Sequence, residues 1–290
     1  MKKAYIIIII LAVFVVSIIC WSVSKSSLFD SNAMGNGNLL MADYNKDDVK
    51  GIKIYNLDKQ TEIDFISDGS KGVFLNNNLI LFKRGNSILS YDIINGDEKI
   101  VYINDEYIDN FSLYSQNKIV IYQNENTVIQ DLQNNEAEQF VLENLMGEIS
   151  ITKDATTIYY SNGESIIKCD IETDNSSIVE NGTNPKIYND TKIAFSNADG
   201  ELVVNDLISN DVWKYKGQAY NYCFSPCGKF VVVEDEMSLQ TGILNLFKNQ
   251  RVLGHKVVLW EYETGKTQTV VESCEAGIGE SFSWENNITE

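Results

Sequence analysis

A short pattern that recurs at nearly constant spacing constrains the fold of this chain more than any other feature of its sequence. Each copy is an alternating apolar strand that reaches Asn, Asp or Glu just before a turn. The six copies are residues 52–57, 88–93, 127–132, 166–171, 202–207 and 257–262. The Asn, Asp or Glu falls at positions 56, 92, 131, 170, 206 and 261, so the spacings are 36, 39, 39, 36 and 55 residues. The chain is therefore a series of structural repeats.

Each repeat contains several short strands. An apolar strand precedes each copy of the pattern, and a turn and a further strand follow it. In residues 192–215 the turn between the first two strands contains Asp199-Gly200, a strong hairpin signal because Gly allows the positive φ of a tight turn. A period of this length with several strands per unit is typical of β-propeller blades. We expect an all-β, six-bladed β-propeller of four-stranded blades over residues 39–290. A two-sheet sandwich is the alternative, but it does not predict a fixed period.

The two ends of the chain predict how the repeats close. Residues 280–284 (ESFSW) match residues 222–225 (YCFS), which open the sixth unit. No comparable strand precedes the first unit. We therefore expect the C-terminal strand to supply the inner strand of the first blade and to close the ring.

The acidic residues at the ends of the repeated strands have a structural explanation. Asp92, Asp131, Asp170 and Asp206 each stand immediately before a turn. Asp at such a position accepts hydrogen bonds from backbone N–H groups of the turn. We expect these four carboxylates to cap turns rather than to take part in chemistry.

The sixth unit is similar in wording to a known group of propellers. Residues 224–229 (FSPCGK) resemble the F-S-P-D-G-K turn of TolB-like and WD-repeat-like bacterial β-propellers, with Cys227 in place of the usual Asp. Residues 259–266 (LWEYETGK) resemble their W-D-x-x-T-G-K phrase. The repeat pattern spans all six units, but this wording occurs only in the sixth. The resemblance implies a propeller that binds a partner through its loops, and it implies no particular ligand or reaction.

The N-terminal segment predicts that the rest of the chain is exported. Residues 5–23 contain no charge and would form a helix of about 28 Å, close to the hydrocarbon thickness of a bilayer. Lys2 and Lys3 precede it, which favours an inside N-terminus and a propeller outside the cytoplasm. We expect residues 1–25 to form a single-pass membrane anchor. A cleaved signal peptide that yields a secreted domain, and a lipoprotein attached through Cys20, are the alternatives.

The residues after the anchor predict a tether, and the charge of the chain excludes one class of partner. Residues 26–38 are mostly small or polar and contain glycines, so we expect a flexible tether. The chain has 41 Asp and Glu against 23 Lys and Arg, a formal net charge of −18. This charge repels phosphate backbones, so we expect no nucleic acid partner.

An insert in the sixth unit is the predicted binding site. The extra length lies in residues 235–255, between the second and third strands of the blade. In a propeller this connection lies on the face that carries the blade-to-blade connections. Apolar residues rimmed by basic ones are typical of a surface that anchors a partner. The candidate residues are Met237, Leu239, Ile243, Leu244, Leu246, Phe247, Lys248, Arg251 and His255. An insert that covers the mouth of the ring as a plug is the alternative.

The sequence predicts no catalytic residue, metal or cofactor. His255 is the only histidine, and no Gly-x-Ser-x-Gly elbow occurs. One histidine with scattered cysteines lacks the ligand spacing of a zinc site. A pair of carboxylates that meet only in space, as in glycosidases, stays open. Cys223 and Cys227 flank a Ser-Pro turn and could form a disulfide in an exported domain, and buried thiols are the equal alternative.

The predicted function is that of a non-enzymatic, membrane-anchored extracytoplasmic module that binds an envelope protein, a peptide or a glycan through the face bearing residues 235–255. One alternative is an exported hydrolase or lyase that uses carboxylates near the central channel. Another is an accessory subunit of an envelope assembly. An enzyme predicts charged side chains that converge in the channel with perturbed pKa values, and a binding module predicts an exposed apolar patch at the insert.

Overall fold

The computed structural model describes most of the chain after residue 36. The described residues are 37–46, 49–115, 117–123, 126–134, 136–140, 142, 144–239, 252–274 and 282–284. Their regular structure consists of β-strands without a helix, so the predicted all-β class is confirmed. The predicted anchor (residues 1–25) and nearly all of the predicted tether lie outside the described residues. Within the described ranges, the structure contains no helix with the length and apolar character that a membrane crossing requires.

The first sheet combines the two ends of the described chain. Its strands are β1 (Asn38–Lys46), β2 (Val49–Asn56), β3 (Thr61–Ser67) and, from the C-terminal end, β23 (Phe282–Trp284). The sheet order is β23-β1-β2-β3, and every pair is antiparallel. Leu39 pairs with Trp284, Leu40 with Ser283 and Met41 with Phe282. The predicted pairing of the C-terminal strand with the first unit is therefore confirmed.

Each of the next two sheets consists of four consecutive antiparallel strands. The second contains β4 (Gly72–Asn76), β5 (Leu79–Arg84), β6 (Ser87–Asp92) and β7 (Glu98–Ile103). The third contains β8 (Asn110–Ser115), β9 (Lys118–Gln123), β10 (Asn126–Asp131) and β11 (Ala137–Phe140).

The fourth sheet has seven strands because one long strand belongs to two successive meanders. Its strands are β12 (Met146–Ile151), β13 (Thr157–Ser161), β14 (Ser165–Asp170), β15 (Ser176–Tyr188), β16 (Lys192–Asn197), β17 (Leu202–Asp206) and β18 (Val212–Lys214). The first half of β15 pairs with β14, and residues 182–188 pair with β16. The strand β15 therefore ends one meander and begins the next.

The last sheet contains the longest hairpin among the described residues. Its strands are β19 (Ala219–Phe224), β20 (Phe230–Leu239), β21 (Val252–Glu261) and β22 (Lys266–Cys274). They are consecutive and antiparallel, in the order β19-β20-β21-β22.

The first strands of the meanders contact one another in a closed ring. We call β23, β4, β8, β12, the second half of β15 and β19 the inner strands. Each contacts the next in this order, and β19 contacts β23. Side-chain hydroxyls tie neighbouring inner strands together: the backbone N–H of Ile187 donates to Ser150 Oγ (2.8 Å), and that of Phe74 donates to Ser283 Oγ (3.3 Å).

The core lies between successive meanders. The central residues of the second strand of each meander, which the sequence predicted as an apolar strand, are buried; examples are residues 39–41, 80–82 and 231–233. Such strands contact a neighbouring sheet on each face, which explains their continuous apolar sequence. Leu40 and Phe82, from the first and second sheets, belong to one such cluster.

The repeated aspartates cap turns as predicted. Asp92 accepts backbone N–H groups of Ile94 and Asn95, and Asp206 accepts those of Ile208 and Ser209. Asp131 and Asp170 make the same type of contact. Because these bonds favour the charged carboxylate, they hold the pKa of Asp131 and of Asp206 below the usual range.

Candidate functional site

The predicted insert is in part a β-hairpin rather than a loop. Strands β20 and β21 pair continuously from Phe230–Glu261 to Leu239–Val252. The inner strand β19 begins at Ala219, which pairs with Asp235, so the hairpin extends beyond the inner strand. Both ends of the insert form strand because they pair with each other. The apolar periodicity of either end alone does not reveal this pairing.

The described part of the insert contains three of the nine candidate binding residues. Met237 and Leu239 lie in β20, and the structure describes their backbone only. His255 lies in β21 with its side chain described. The other six candidates lie outside the described residues: Ile243, Leu244, Leu246, Phe247, Lys248 and Arg251. The predicted apolar patch stays a prediction.

The base of the hairpin is built around buried Glu234. This side chain is only 1% exposed. Asn221 Nδ2 donates to Glu234 Oε2 at 2.7 Å, and His255 Nδ1 lies 2.8 Å from Glu234 Oε1. The ring of Tyr220 packs against the imidazole, with 5.0 Å between centroids. A buried carboxylate is tolerated only with such partners, so Glu234 connects β19, β20 and β21 at this point.

Asp235 makes a second set of contacts at the same level. Its Oδ2 accepts the hydroxyl of Tyr215 at 3.0 Å and lies 3.1 Å from Lys256 Nζ. Its Oδ1 accepts the backbone N–H of Gln218 at 3.0 Å. Burial and the adjacent charge of Asp235 raise the pKa of Tyr215, which keeps this hydroxyl a donor. The two neighbouring carboxylates fix the base of the hairpin to the ring.

The second candidate region is an open cavity of about 780 Å³ between the inner strands. Residues of β4, β8, β12, β15 and β23 line it, together with Lys71, which directly precedes β4. Ligand sites in proteins commonly have volumes of about 300–1,000 Å³ and mostly apolar walls with a few polar groups. The cavity has a volume in this range, and polar and apolar side chains line it in nearly equal number.

Three charged side chains from different meanders converge in this cavity. Lys71 Nζ lies 3.0 Å from Glu148 Oε1, and Lys186 Nζ contacts Glu148 Oε2. Their side chains are 10%, 12% and 18% exposed, in the order Lys71, Glu148 and Lys186. Two ammonium groups share one carboxylate.

Local irregularities in the inner strands place two of these side chains. The register of β12 shifts around Glu148, and the adjacent Gly147 has a φ of 82° that glycine adopts without strain. The register of β15 shifts just before Lys186, and Asn184 within that stretch has a φ of 54°. A bulge changes the direction of the side chains next to it. The two bulges therefore account for the contact between Glu148 and Lys186.

The cluster contains a lysine with a perturbed pKa. Burial and the positive charge of Lys71 lower the pKa of Lys186 to about 7. On the neighbouring inner strand, burial raises the pKa of the Cys223 thiol to about 12, so this thiol is neutral. A lysine that is partly neutral at physiological pH can bind an anion in one protonation state and accept a proton in the other.

Sequence reasoning missed this cluster. It considered carboxylates near the channel, and the structure brings together one carboxylate and two lysines. The sequence did contain one signal for the cluster, which was a charged residue in an otherwise apolar inner strand. Examples are residues 186–188 (KIY) and 148–151 (EISI). That signal does not reveal which of these residues meet.

Of the two alternatives left open for Cys223 and Cys227, the structure shows free thiols and no disulfide. Both residues are free thiols; Cys223 is buried and Cys227 is exposed. Cys227 Sγ lies 3.3 Å from Ser225 Oγ, within the turn that follows β19. The described residues include no group of three His, Cys, Asp or Glu side chains that could hold a metal.

Comparison with solved structures defines the fold. One similar chain occurs in the crystal structure of a nidogen/laminin complex, with a TM-score of 0.61 and 11% sequence identity over 86% of this chain and 98% of that one. Another is described as TolB from Agrobacterium tumefaciens, with a TM-score of 0.60 and 13% identity over 85% of this chain and 94% of that one. No protein-family model matches the sequence, and no curated protein matches it either. The fold is a TolB-like β-propeller, as the resemblance of the sixth unit implied.

Proposed function

We propose that the protein is a membrane-anchored, extracytoplasmic β-propeller of six four-stranded blades that binds a protein, peptide or glycan of the cell envelope without catalysing a reaction. The six copies of the repeat and the six inner strands in contact support the blade count. The uncharged residues 5–23 behind Lys2 and Lys3 support the anchor and its orientation.

The hairpin of β20 and β21 is the observation that carries the proposed binding function. Its strands have ten residues each, whereas the corresponding strands β5 and β6, or β9 and β10, have six. Buried Glu234 and Asp235 fix its base. A rigid support of this kind lowers the entropy that residues 240–251 would lose on binding a partner. The similarity to a chain from a nidogen/laminin complex favours a protein partner.

Cross-linking in intact cells tests this proposal. A tagged full-length protein would be cross-linked and its captured partners identified by mass spectrometry. The matched control replaces residues 240–251 with an Asn-Gly turn, which can join two antiparallel strands directly and leaves the anchoring contacts of Glu234 and Asp235 in place. One dominant envelope protein, lost in the control, supports the proposal. An identical set of proteins from both versions overturns the role of the hairpin.

The Lys71–Glu148–Lys186 cluster favours an exported hydrolase or lyase as a second candidate function. A lysine with a pKa of about 7 is suited to general base catalysis near neutral pH. Turnover of glycan or ester substrates by the wild-type protein, abolished in Lys186→Met and retained in Lys214→Met, would support an enzyme. Lys214 is the matched control because it is an exposed lysine that also pairs with a glutamate, Glu201.

A further inference from the structure

The hairpin of β20 and β21 has an open edge on the side of the inner strand. Strand β19 covers β20 only as far as Asp235, which pairs with Ala219, whereas β20 continues to Leu239. Strand β5 of the second sheet differs, because backbone hydrogen bonds between Lys83 and residues 70 and 71 carry its inner-side pairing almost to its end. The open edge exists because the hairpin is longer than the inner strand beside it.

The alternation of the backbone shows which groups point to this edge. In a regular strand, every second residue directs its N–H and C=O to the same side. Phe230 faces β19, because its carbonyl accepts the N–H of Ser225 at 2.9 Å and its own N–H donates to Ser225 Oγ at 3.1 Å. Since β20 pairs with β21 without interruption up to Leu239, the alternation continues along the strand. The N–H and C=O of Ser238 and the C=O of Glu236 therefore point to the open edge.

Asp235 ends the pairing of β19 with β20. Gln218 is the next residue that would lie opposite Glu236, but its N–H donates to Asp235 Oδ1 at 3.0 Å. Residues 216 and 217 form a bend, and Gln218 is exposed. In the part of the chain that the structure describes, no strand pairs with β20 on this side beyond Asp235.

The chemistry of a strand edge specifies what can cover it. The edge presents backbone donors and acceptors at the spacing of an extended chain, so another β-strand satisfies them and a compact ligand does not. The exposed ring of Tyr220 lies beside this edge, and its hydroxyl donates to Glu236 Oε2 at 3.3 Å. Partial burial and the negative charges of Glu236, Glu234 and Asp235 raise the pKa of Tyr220. This negative potential favours a segment with basic side chains.

We propose that the open edge of β20 binds an extended, basic peptide segment of a partner protein, which adds a strand beside Ser238. This inference rests on the proposed function, in which the hairpin binds a protein partner, and it specifies the mode of binding. Backbone hydrogen bonds to β20 contribute affinity, and the acidic surroundings select basic side chains.

Calorimetric titration with matched peptides tests the proposal. The probe is an acetylated and amidated octapeptide of alternating Lys and Val, titrated into the full-length protein in a nonionic detergent. One control peptide is N-methylated at every residue, which keeps its charge and removes the backbone N–H groups. A second control alternates Glu and Val, which keeps the strand pattern and reverses the charge. The probe should bind saturably, and each control should bind at least tenfold more weakly.

Proline variants locate the edge. Ser238→Pro removes an N–H from the inner edge but no bond between β20 and β21, so it should weaken binding of the probe at least tenfold. Leu253→Pro is the matched control, because Leu253 pairs with Ser238 and directs its N–H to the opposite edge of the hairpin. Binding should be unchanged in Leu253→Pro and in Ser238→Ala, which alters only the side chain.

Hydrogen exchange at single amides provides an internal control. The amides of Met237 and Leu239 face β21 and should exchange slowly. The amide of Ser238 should exchange fast in the free protein and at least tenfold more slowly when the probe is bound. Slow exchange of Met237 in Ser238→Pro shows that this variant keeps the hairpin.

Four results would overturn the proposal. They are equal binding of the probe and its N-methylated form, no saturable binding of the probe, equal binding in Ser238→Pro and Leu253→Pro, and slow exchange of Ser238 in the free protein. The last result would mean that the chain itself covers the edge. Cross-linking separates these outcomes from the proposed function. A partner that is lost when residues 240–251 are replaced but kept in Ser238→Pro would retain that function and overturn only the strand addition.

Discussion

Lys186 should make the folded protein more stable as the pH rises from 7 to 9. Its pKa is about 7 in the folded protein and has the ordinary lysine value of 10.5 in the unfolded chain. Between these values the unfolded chain holds a proton that the folded protein has released, so a rise in pH favours folding. Below pH 7 both states are protonated, and this dependence disappears.

The size of the effect follows from the shift. Each pH unit well inside this interval changes the free energy of unfolding by about 1.4 kcal/mol, and the change begins gradually near the folded pKa. The expected gain from pH 7 to pH 9 is therefore about 2 kcal/mol. The titratable groups next to Lys186 in the described part of the chain include Glu148, Lys71 and Cys223. The raised pKa of Cys223 opposes the gain as the pH approaches 9.0, the ordinary pKa at which the unfolded thiol loses its proton.

Urea denaturation of the full-length protein in nonionic detergent, followed by circular dichroism at pH 6, 7, 8 and 9, measures this dependence. The wild type should gain about 2 kcal/mol over the upper two units. Lys186→Met should lose the gain, and Lys214→Met, which changes an exposed lysine, should keep it.

Two outcomes would refute the reasoning. A wild-type stability that is constant from pH 7 to 9 would mean that the contact with Glu148 outweighs burial and keeps Lys186 charged. A gain that persists in Lys186→Met would assign the dependence to another group.

Three further predictions concern closure, a turn and the thiols. Deleting residues 280–290 removes β23 with its two buried aromatic side chains. The deletion should lower the free energy of unfolding by more than about 5 kcal/mol and cause aggregation. A deletion variant that melts at the wild-type temperature in calorimetry contradicts closure by this strand. Gly228→Ala should lower the free energy of unfolding by about 3 kcal/mol in urea titrations, because Gly228 has a φ of 67° and an added methyl group would overlap the ring of Tyr188. The control Gly200→Ala should lower it by about 1 kcal/mol, because Gly200 has a φ of 76° but open space around it. Equal losses in the two variants would show that the tyrosine ring moves aside. Iodoacetamide should label exposed Cys227 in the folded protein but buried Cys223 only after unfolding, as peptide mass spectrometry can show; equal labelling rates would exclude the described burial of Cys223.

The repeat, the strands and the turn-capping aspartates were predictable because they depend on residues that are close in sequence. Alternation of apolar residues specifies which face of a strand is buried, and Asp206 bonds to N–H groups only two and three positions later. The match between residues 280–284 and the opening of the sixth unit also predicted the pairing of β23 with β1. The length of the insert was visible in the repeat spacing, but its conversion into a hairpin was not.

The sequence by itself determined a β-propeller, the position of its unusual hairpin, and a first segment with the composition of a membrane anchor. Only the tertiary structure determined which charged side chains contact one another. Lys71, Glu148 and Lys186 lie in three different meanders, and they meet because a ring of inner strands brings distant segments to one axis. Bulges of β12 and β15 then set the direction of two of the side chains. Periodicity describes each strand separately, and the cavity is formed by all of them together.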